Sequence, residues 1–309
     1  MRKVRILSVI IFVLSAGMFA FFKFTDKKTT DTDGPIIQME TDSIEVSSGA
    51  GNEELLAGVT ATDRKDGDVT ASLVIERMTN FTERGKRTVT IAAFDSDNNV
   101  AKATREIIYN DYTAPSFALG GPLYFPENPS SLGEELTASD VLDGDVTEKI
   151  RMSAVDILQL DTAGDYQVVF SVSNSAGDAV QLPVTVTIYD PSEQSMLPAI
   201  TLSEYLIHVK TGESVDAWSY IDEVNYRGTV YKPAVSSSGE NILAEETNSA
   251  AGDSLYGDNE ERKYLTNIDI TNPVDANTPG TYEITYRVTS DETGEEETGT
   301  MRLIVVVDE

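Results

Sequence analysis

The sequence predicts an all-β protein composed of tandem β-sandwiches. Apolar residues alternate with polar ones over short segments, Gly, Asn and Asp turns separate those segments, and one stretch of sequence recurs along the chain. The recurrence is identical for the pentapeptide Asp-Gly-Asp-Val-Thr, found at residues 66–70 and again at residues 143–147. Its offset of 77 residues is about the length of one small sandwich, so the pentapeptide is expected to mark the same corner of a duplicated module.

Three prolines mark the expected domain boundaries. Pro35, Pro115 and Pro198 each come directly before a short alternating segment, and they are spaced 80 and 83 residues apart. Proline fixes its own φ and cannot donate a ladder hydrogen bond, so each proline is expected to open an edge strand. We therefore predict three domains, called below the first, second and third modules: residues 35–111, 112–191 and 198–309.

Each module is expected to close with a β-hairpin. Gly85, Gly164 and Gly280 each precede an alternating strand, a polar turn and a second alternating strand. About seven short strands per module, separated by Gly, Asn and Asp turns, are typical of an immunoglobulin-like sandwich. Helical periodicity is nearly absent from the modules, and residues 217–224 are the exception because they fit a helical turn. Trp218 in this segment is predicted to anchor the core rather than to form a platform for a ligand.

Two stretches of the first module carry a resemblance to a known family. Residues 60–70 (TATDRKDGDVT), then a glycine-led strand, then residues 94–101 (FDSDNNVA) resemble the bacterial immunoglobulin-like repeat family typified by the DUF5011 domain. The second module repeats the arrangement at residues 137–147 (TASDVLDGDVT) and 172–179 (VSNSAGDA), so the resemblance covers about residues 34–190. It implies extracellular β-sandwiches strung in tandem on cell-surface proteins, where such domains usually act as spacers or binding modules without catalytic activity.

The third module departs from this pattern. It keeps an opening strand and a closing hairpin, but it lacks the pentapeptide, and a polar stretch of about 30 residues occupies positions 232–263 instead. Residues 265–268 then rejoin the pattern of residues 146–150. The stretch is interpreted as an insertion in one loop. A structureless loop of this length is either functional or disordered, so a flexible excursion and a partner-binding loop are both open alternatives.

The N-terminal segment has the composition of a membrane anchor. Residues 6–22 carry no charge and follow a short basic segment, so residues 1–24 are predicted to be a cytoplasmic stub and a transmembrane signal anchor, with a stalk at residues 25–34. This interpretation predicts a single-pass protein of the cell membrane, with a cytoplasmic N-terminus and extracellular C-terminal domains. The alternative is a cleaved signal peptide and a secreted protein, although Met18 two residues before Ala20 makes a poor cleavage site.

Composition excludes several classes of function. The formal net charge is −29, and no basic stripe offsets it, so the surface would repel nucleic acid. The chain has no cysteine, which excludes disulfides, thiol catalysis and cysteine zinc sites. Stability is therefore expected to come from the packing of the modules.

Clustered aspartates raise the question of calcium. Two sets offer three hard oxygen donors within six residues, namely Asp63, Asp66 and Asp68 in the first module and Asp140, Asp143 and Asp145 in the second. The glutamate that ends a twelve-residue calcium loop is missing, however, and Asp-Gly is an ordinary turn dipeptide whose aspartate caps its own backbone.

A further acidic cluster follows in the first module. Asp95, Asp97 and Asn98 lie close together in the sequence, whereas the matching residues 174–178 of the second module read as a hairpin turn and little else. Turn chemistry is the favoured interpretation of all these aspartates. Calcium stays open, and no metal-binding or cofactor-binding residue is assigned.

Catalysis has little support in the sequence. His208 is the only histidine, and a lone histidine in an alternating strand is more often a surface or edge residue than a base or a metal ligand. Nucleophile elbows, phosphate-binding glycine loops and zinc spacings are absent from the sequence, and carboxylates are too abundant for any pair to stand out. We therefore expect no enzyme and assign no catalytic residue.

Two functions fit these expectations. The first is a membrane-anchored rod, held through residues 6–22, that acts as a structural spacer or scaffold at a bacterial cell envelope. The alternative is an adhesin-like or assembly-partner protein that binds a glycan, a wall polymer or a surface protein through the third module.

Overall fold

The chain folds mostly into β-strands. A computed structural model describes residues 2–29, 32–130, 132, 134–154, 160–194, 196–246, 264–290 and 296–308. Its internal contacts divide the chain into two compact units: Met1–Thr113 with Ser175–Asp178 form the first unit, and Ala114–Asn174 with Ala179–Glu309 form the second. The described residues form six β-sheets and a few short helical segments in addition to an N-terminal helix.

The N-terminal helix overturns one prediction. This helix, α1, spans Arg2–Thr29. Among the described residues, no helix is both long and apolar enough to cross a membrane. The predicted signal anchor at residues 1–24, with its membrane contact at residues 6–22, is therefore wrong, and so is the single-pass localisation derived from it.

Geometry gives a reason for this correction. The uncharged stretch at residues 6–22 has 17 residues. At about 1.5 Å per residue it covers roughly 25 Å, which is less than the hydrocarbon core of roughly 30 Å. The helix also continues through Thr29 into the predicted stalk, because no proline or glycine interrupts the chain before Gly34 and Pro35.

The first unit contains two sheets. Its elements in chain order are β1 (Ile36–Met39), β2 (Ser43–Val46), α2 (Asn52–Leu55), β3 (Val59–Asp63), β4 (Gly67–Asp68), a 3-10 turn (Thr70–Ser72), β5 (Val74–Met78), β6 (Lys86–Phe94) and β7 (Val100–Tyr109). One sheet has the order β1-β3-β4 and the other β2-β7-β6-β5, with β2 parallel to β7. Alternation along β6 and β7 buries Val89, Ile91 and Ile107 completely.

The second unit begins with the same arrangement. Its first elements are β8 (Ser116–Leu119), β9 (Tyr124–Pro126), β10 (Leu136–Asp140), β11 (Gly144–Asp145), a 3-10 turn (Thr147–Lys149), β12 (Arg151–Ala154), β13 (Gly164–Ser173) and β14 (Ala179–Tyr189). They form the sheets β8-β10-β11 and β9-β14-β13-β12, with β9 parallel to β14. Strand for strand this matches the first unit, so the prediction that the pentapeptide marks the same corner of a repeated structure is confirmed.

The rest of the second unit extends the pattern. It contains α3 (Pro191–Gln194), β15 (Ala199–Leu202), β16 (Leu206–Lys210), a 3-10 turn (Ala217–Tyr220), β17 (Ile221–Tyr226), β18 (Thr229–Val235), β19 (Asn241–Glu245), β20 (Tyr264–Leu265), β21 (Ile268–Thr271), β22 (Gly280–Ser290) and β23 (Glu297–Asp308). These strands form the sheets β15-β17-β18-β19-β20 and β16-β23-β22-β21, with β16 parallel to β23.

The three prolines lie where the sequence predicts. Pro35, Pro115 and Pro198 are buried and directly precede β1, β8 and β15, and each of these strands lies at the edge of its sheet. The edge position is compatible with a residue that has no N–H to donate.

Two predictions for the third module need correction. The stretch at residues 232–263 is not one long loop, because residues 229–245 form the antiparallel hairpin of β18 and β19, which buries Tyr231 and Leu243. Residues 247–263 lie outside the described part of the chain. The helical turn predicted at residues 217–224 ends at Tyr220, because the burial of Ile221 and Val224 in the core places the following residues in β17.

The second and third modules share apolar packing within the second unit. Leu206 on β16 and Ile304 on β23 are buried in the same cluster as Phe170 and Val186 of the second module. A separate cluster around Tyr286 fills the third module. The module boundary predicted near residues 191–198 stays a prediction, because the contacts on both sides of it belong to one unit.

Candidate functional site: the two aspartate corners

The first corner is a turn held by its own side chains. Asp63 ends β3, and its Oδ1 accepts hydrogen bonds from the backbone N–H groups of Lys65 (2.7 Å) and Asp66 (2.9 Å). Gly67 follows with φ of 76°, a left-handed conformation that favours glycine. Asp63 thus caps the turn, as the Asp-Gly chemistry predicts.

The end of the pentapeptide ties the turn back to β3. Asp68 Oδ1 accepts the backbone N–H of Thr70 at 2.9 Å. The Thr70 hydroxyl oxygen accepts the backbone N–H of Ala61 at 3.1 Å, and the backbone N–H of Val69 donates to the Ala61 carbonyl at 3.0 Å. The aspartate and threonine positions of the motif therefore hold the backbone.

The second corner repeats these bonds. Asp140 Oδ1 accepts from the N–H groups of Leu142 (2.9 Å) and Asp143 (3.0 Å), and Asp145 Oδ1 accepts from that of Thr147 (2.9 Å). The interpretation of both motifs as turn chemistry is confirmed. Within the ranges that the structure describes, no group of three or more His, Asp or Glu side chains is placed to hold a metal ion.

Acid should weaken these corners. Hydrogen bonds from the hydroxyl and the backbone N–H of Thr70 lower the pKa of Asp68, and those from Thr147 lower the pKa of Asp145. A carboxylate with a lowered folded-state pKa stabilises the fold above its unfolded-state pKa of about 3.9, and this contribution is lost as the pH falls through the folded-state value.

We therefore expect the melting midpoint to fall below about pH 4, and to fall less steeply in the double variant Asp68→Asn, Asp145→Asn, whose amides do not titrate. Calorimetry between pH 7 and pH 3 on the two proteins provides the comparison. Parallel curves would show that the two carboxylates do not contribute to acid sensitivity.

The further cluster of the first module lies against its corner. Asp66 accepts hydrogen bonds from the backbone N–H and the hydroxyl of Ser96, both at 2.9 Å, and these bonds lower the pKa of Asp66. Lys65 forms an ion pair with Asp97. The structure thus brings together residues 63–68 and 95–99, which the sequence analysis treated as separate clusters.

Asp95 and Asn98 shape the β6–β7 turn. Asp95 Oδ1 accepts the backbone N–H groups of Asp97 (2.9 Å) and Asn99 (2.8 Å), and its Oδ2 accepts the side-chain amide of Asn99 at 2.7 Å. Asn98 has φ of 65°. Asp95 is 8% exposed, so this turn keeps a carboxylate out of solvent.

The two corners differ in one buried atom. In the second module, Asp140 Oδ2 accepts the side-chain amide of Asn174 at 3.0 Å. In the first module, Asp63 Oδ2 is buried and has no hydrogen-bond partner. Sequence reasoning missed this difference, although aligning the hairpin turns at residues 94–101 and 172–179 pairs Asp95 with Asn174 and gives the signal.

His208 and Trp218 have structural surroundings. The Nε2 of His208 lies 2.9 Å from the carbonyl oxygen of Phe117, to which it must donate, and its Nδ1 lies 3.1 Å from Asp308 Oδ2. Trp218 is partly buried against the apolar cluster of the third module, as predicted. His208 therefore connects strand β16 to the second module.

Polar contacts reinforce the same junction. The backbone N–H and the hydroxyl of Thr185 donate to the two carboxylate oxygens of Glu283, each at 2.6 Å. Arg302 donates to the Thr187 hydroxyl at 2.6 Å and pairs with Asp165. The second and third modules are thus joined by directional bonds as well as by apolar packing.

A cleft of about 350 Å³ opens beside this junction. Its wall includes Tyr124 and Tyr189, whose rings stack with centroids 4.7 Å apart, together with Asp165, Asp190 and Glu193. The Tyr124 hydroxyl donates to Gln194 Oε1 at 2.6 Å. Burial raises the pKa of Tyr124, so this hydroxyl stays a donor at neutral pH.

Comparison with known proteins gives limited matches. No family model matches the chain. Over 114 residues, the chain is 31% identical to an uncharacterized 81.3 kDa protein of Acholeplasma phage L2; the match covers 35% of this chain and 15% of the phage protein.

Solved structures show only low likeness. A lipoprotein from Bacteroides thetaiotaomicron aligns over 61% of this chain and 99% of its own, at 14% identity and a TM-score of 0.23. Drosophila N-cadherin EC1-4 aligns over 90% and 76%, at 12% identity and a TM-score of 0.22. The M60 catalytic domain with the CBM51-1 and CBM51-2 domains of Clostridium perfringens ZmpB aligns over 88% and 42%, at 10% identity and a TM-score of 0.24. At these TM-scores, none of the three carries an argument about this chain.

Proposed function

We propose that this chain is a non-catalytic structural spacer or scaffold of a bacterial cell envelope, built from three tandem immunoglobulin-like β-sandwiches of the DUF5011-like kind. The observation that carries the proposal is the junction between the second and third modules. Ile304 and Leu206 extend the apolar cluster of the second module, and Glu283 and Arg302 bind its strand β14. A spacer must keep its ends at a fixed separation, and a joint with a shared core resists bending.

Distance measurements between spin labels test the rigid joint. Since the chain has no cysteine, introduced cysteines are the only labelling sites. We suggest Thr137→Cys with Arg287→Cys, two exposed strand positions in the second and third modules. Thr137→Cys with Gln181→Cys, both within the second module, is the control. A spacer requires distance distributions of similar width for the two pairs, and a much broader distribution for the first pair would contradict a rigid joint.

A recognition role is the second candidate, and the cleft beside the junction favours it. Stacked aromatic rings next to carboxylates offer both apolar and hydrogen-bonding surface, as binding clefts do. The third module also carries residues 247–263 between β19 and β20, which are neighbours in one sheet. In this alternative, a glycan, a wall polymer or a surface protein binds at one of these places.

The two candidates separate in a binding experiment. Replacing residues 247–263 with a short Gly-Ser linker keeps the hairpin of β18 and β19, which deletion of the full 232–263 stretch would destroy. Binding to cells and isolated envelope components is measured for the parent chain and for this variant, together with Tyr189→Ala. Binding that is lost in either variant supports recognition, whereas equal binding of all three proteins supports the spacer.

A further inference from the structure

The buried Asp63 carboxylate of the first module lacks a partner that its counterpart has. Asp63 is 6% exposed, and its Oδ2 has no hydrogen-bond partner. Asp140, the equivalent residue of the second module, is 7% exposed, and its Oδ2 receives a hydrogen bond from Asn174. A buried carboxylate oxygen without a donor costs free energy, so the first module is expected to satisfy it in another way.

Asp95 occupies the position that Asn174 has in the second module. Both hairpin turns contain five residues, because Phe94 pairs with Val100 and Ser173 pairs with Ala179. The fourth residue is left-handed in both turns, as Asn98 with φ of 65° and as Gly177 with φ of 83°. Where the second module has an amide donor, the first module therefore has a second carboxylate.

Nearby groups do not supply the missing donor. Lys65, the nearest cation along the chain, forms its ion pair with Asp97, and Asp66 is bound by Ser96. Asp95 accepts hydrogen bonds from the turn that it caps, but a carboxylate has nothing to donate to Asp63. Two buried carboxylates at one place repel each other unless a positive charge lies between them.

We propose that the first module binds a hard divalent cation between Asp63 and Asp95, in the place that the Asn174 amide fills in the second module. Carboxylate oxygens are the ligands that Ca²⁺ and Mg²⁺ prefer, and water completes their coordination where the protein offers few ligands. With two carboxylates the site is weak, and a dissociation constant on the order of 10⁻⁴ to 10⁻³ M is expected for calcium.

The matched variant is Asp95→Asn, which recreates the Asp140–Asn174 pair in the first module. Its amide can donate to Asp63 Oδ2, so the variant should fold at least as well as the parent without a cation. Titration calorimetry of the full chain with Ca²⁺, and separately with Mg²⁺, at constant ionic strength should give a saturable signal for the parent. Asp95→Asn should lose at least tenfold in affinity.

Thermal melting gives an independent readout. A cation held only by the folded state raises the melting midpoint, so the parent should gain stability at millimolar cation and Asp95→Asn should not. Glu54→Gln, which removes one exposed charge from the same unit, controls for screening of the acidic surface and should keep the full response. A response of equal size in Asp95→Asn, or no response of the parent to either cation at about 10 mM, would overturn the proposal.

Discussion

Replacing Gly299 with alanine should destabilise the second unit by roughly 3 kcal/mol. A Cβ on Gly299 would lie 1.7 Å from the carbonyl oxygen of Pro198 and 2.7 Å from its carbonyl carbon. Both atoms are backbone, so a rotamer change cannot relieve the clash. The chain that leads into β15 would have to move away from β23, and overpacking that displaces backbone lies at the upper end of its usual range of about 1–3 kcal/mol.

Urea unfolding followed by tryptophan fluorescence measures this effect. Trp218 is the only tryptophan and lies in the second unit, so it reports on that unit. Gly164→Ala is the matched control, because a Cβ there lies 3.7 Å from the Tyr166 ring, an ordinary contact. We expect the control to differ from the parent by less than about 1 kcal/mol. Equal free energies of unfolding for the two variants would contradict the close approach of Pro198 to Gly299.

Sequence reasoning succeeded where local chemistry decides the structure. Pro198 opens an edge strand because it has no N–H to donate, and Gly67 adopts positive φ because Asp-Gly turns require it. Asp68 and Thr70 close the corner through bonds that span at most nine residues. Such interactions can be read from residue types and spacing, and they placed the strands of the first two modules.

The same reasoning failed where distant residues decide. The hairpin at residues 229–245 has a polar composition and contains Pro233, and its strands become recognisable only once Tyr231 and Leu243 are seen to be buried. The approach of Gly299 to Pro198 depends on packing between strands about 100 residues apart.

The candidate site shows this limit most clearly. Asp63 and Asp95 are 32 residues apart, and the sequence placed them in different clusters. Folding brings their turns together through the bonds of Asp66 with Ser96. Alignment of the two modules carries the missing information, because Asp140 and Asn174 are neighbours in the second module. The N-terminal helix is the opposite case, since its apolar composition favoured a membrane span that its length does not support.

Ile304→Ala should destabilise the second module as well as the third, by roughly 3 kcal/mol. Ile304 is 3% exposed on β23, a strand of the third module, yet it packs in the apolar cluster of the second. Truncating a buried isoleucine removes its transfer free energy and leaves a cavity, which together cost about 2–5 kcal/mol. Because the cavity opens in the shared cluster, strands on both sides of the predicted module boundary lose support.

Amide hydrogen exchange resolves where the stability is lost. Amides of β13 and β14 in the second module and of β22 in the third should all exchange faster in Ile304→Ala, and unfolding should stay a single transition. Val235→Ala is the control, because Val235 is 67% exposed and its truncation should change stability by less than about 0.5 kcal/mol. If exchange in Ile304→Ala increases only in the third module, while β13 and β14 keep the protection of the parent, then the two modules fold separately. The rigid joint on which the spacer proposal depends would then be wrong.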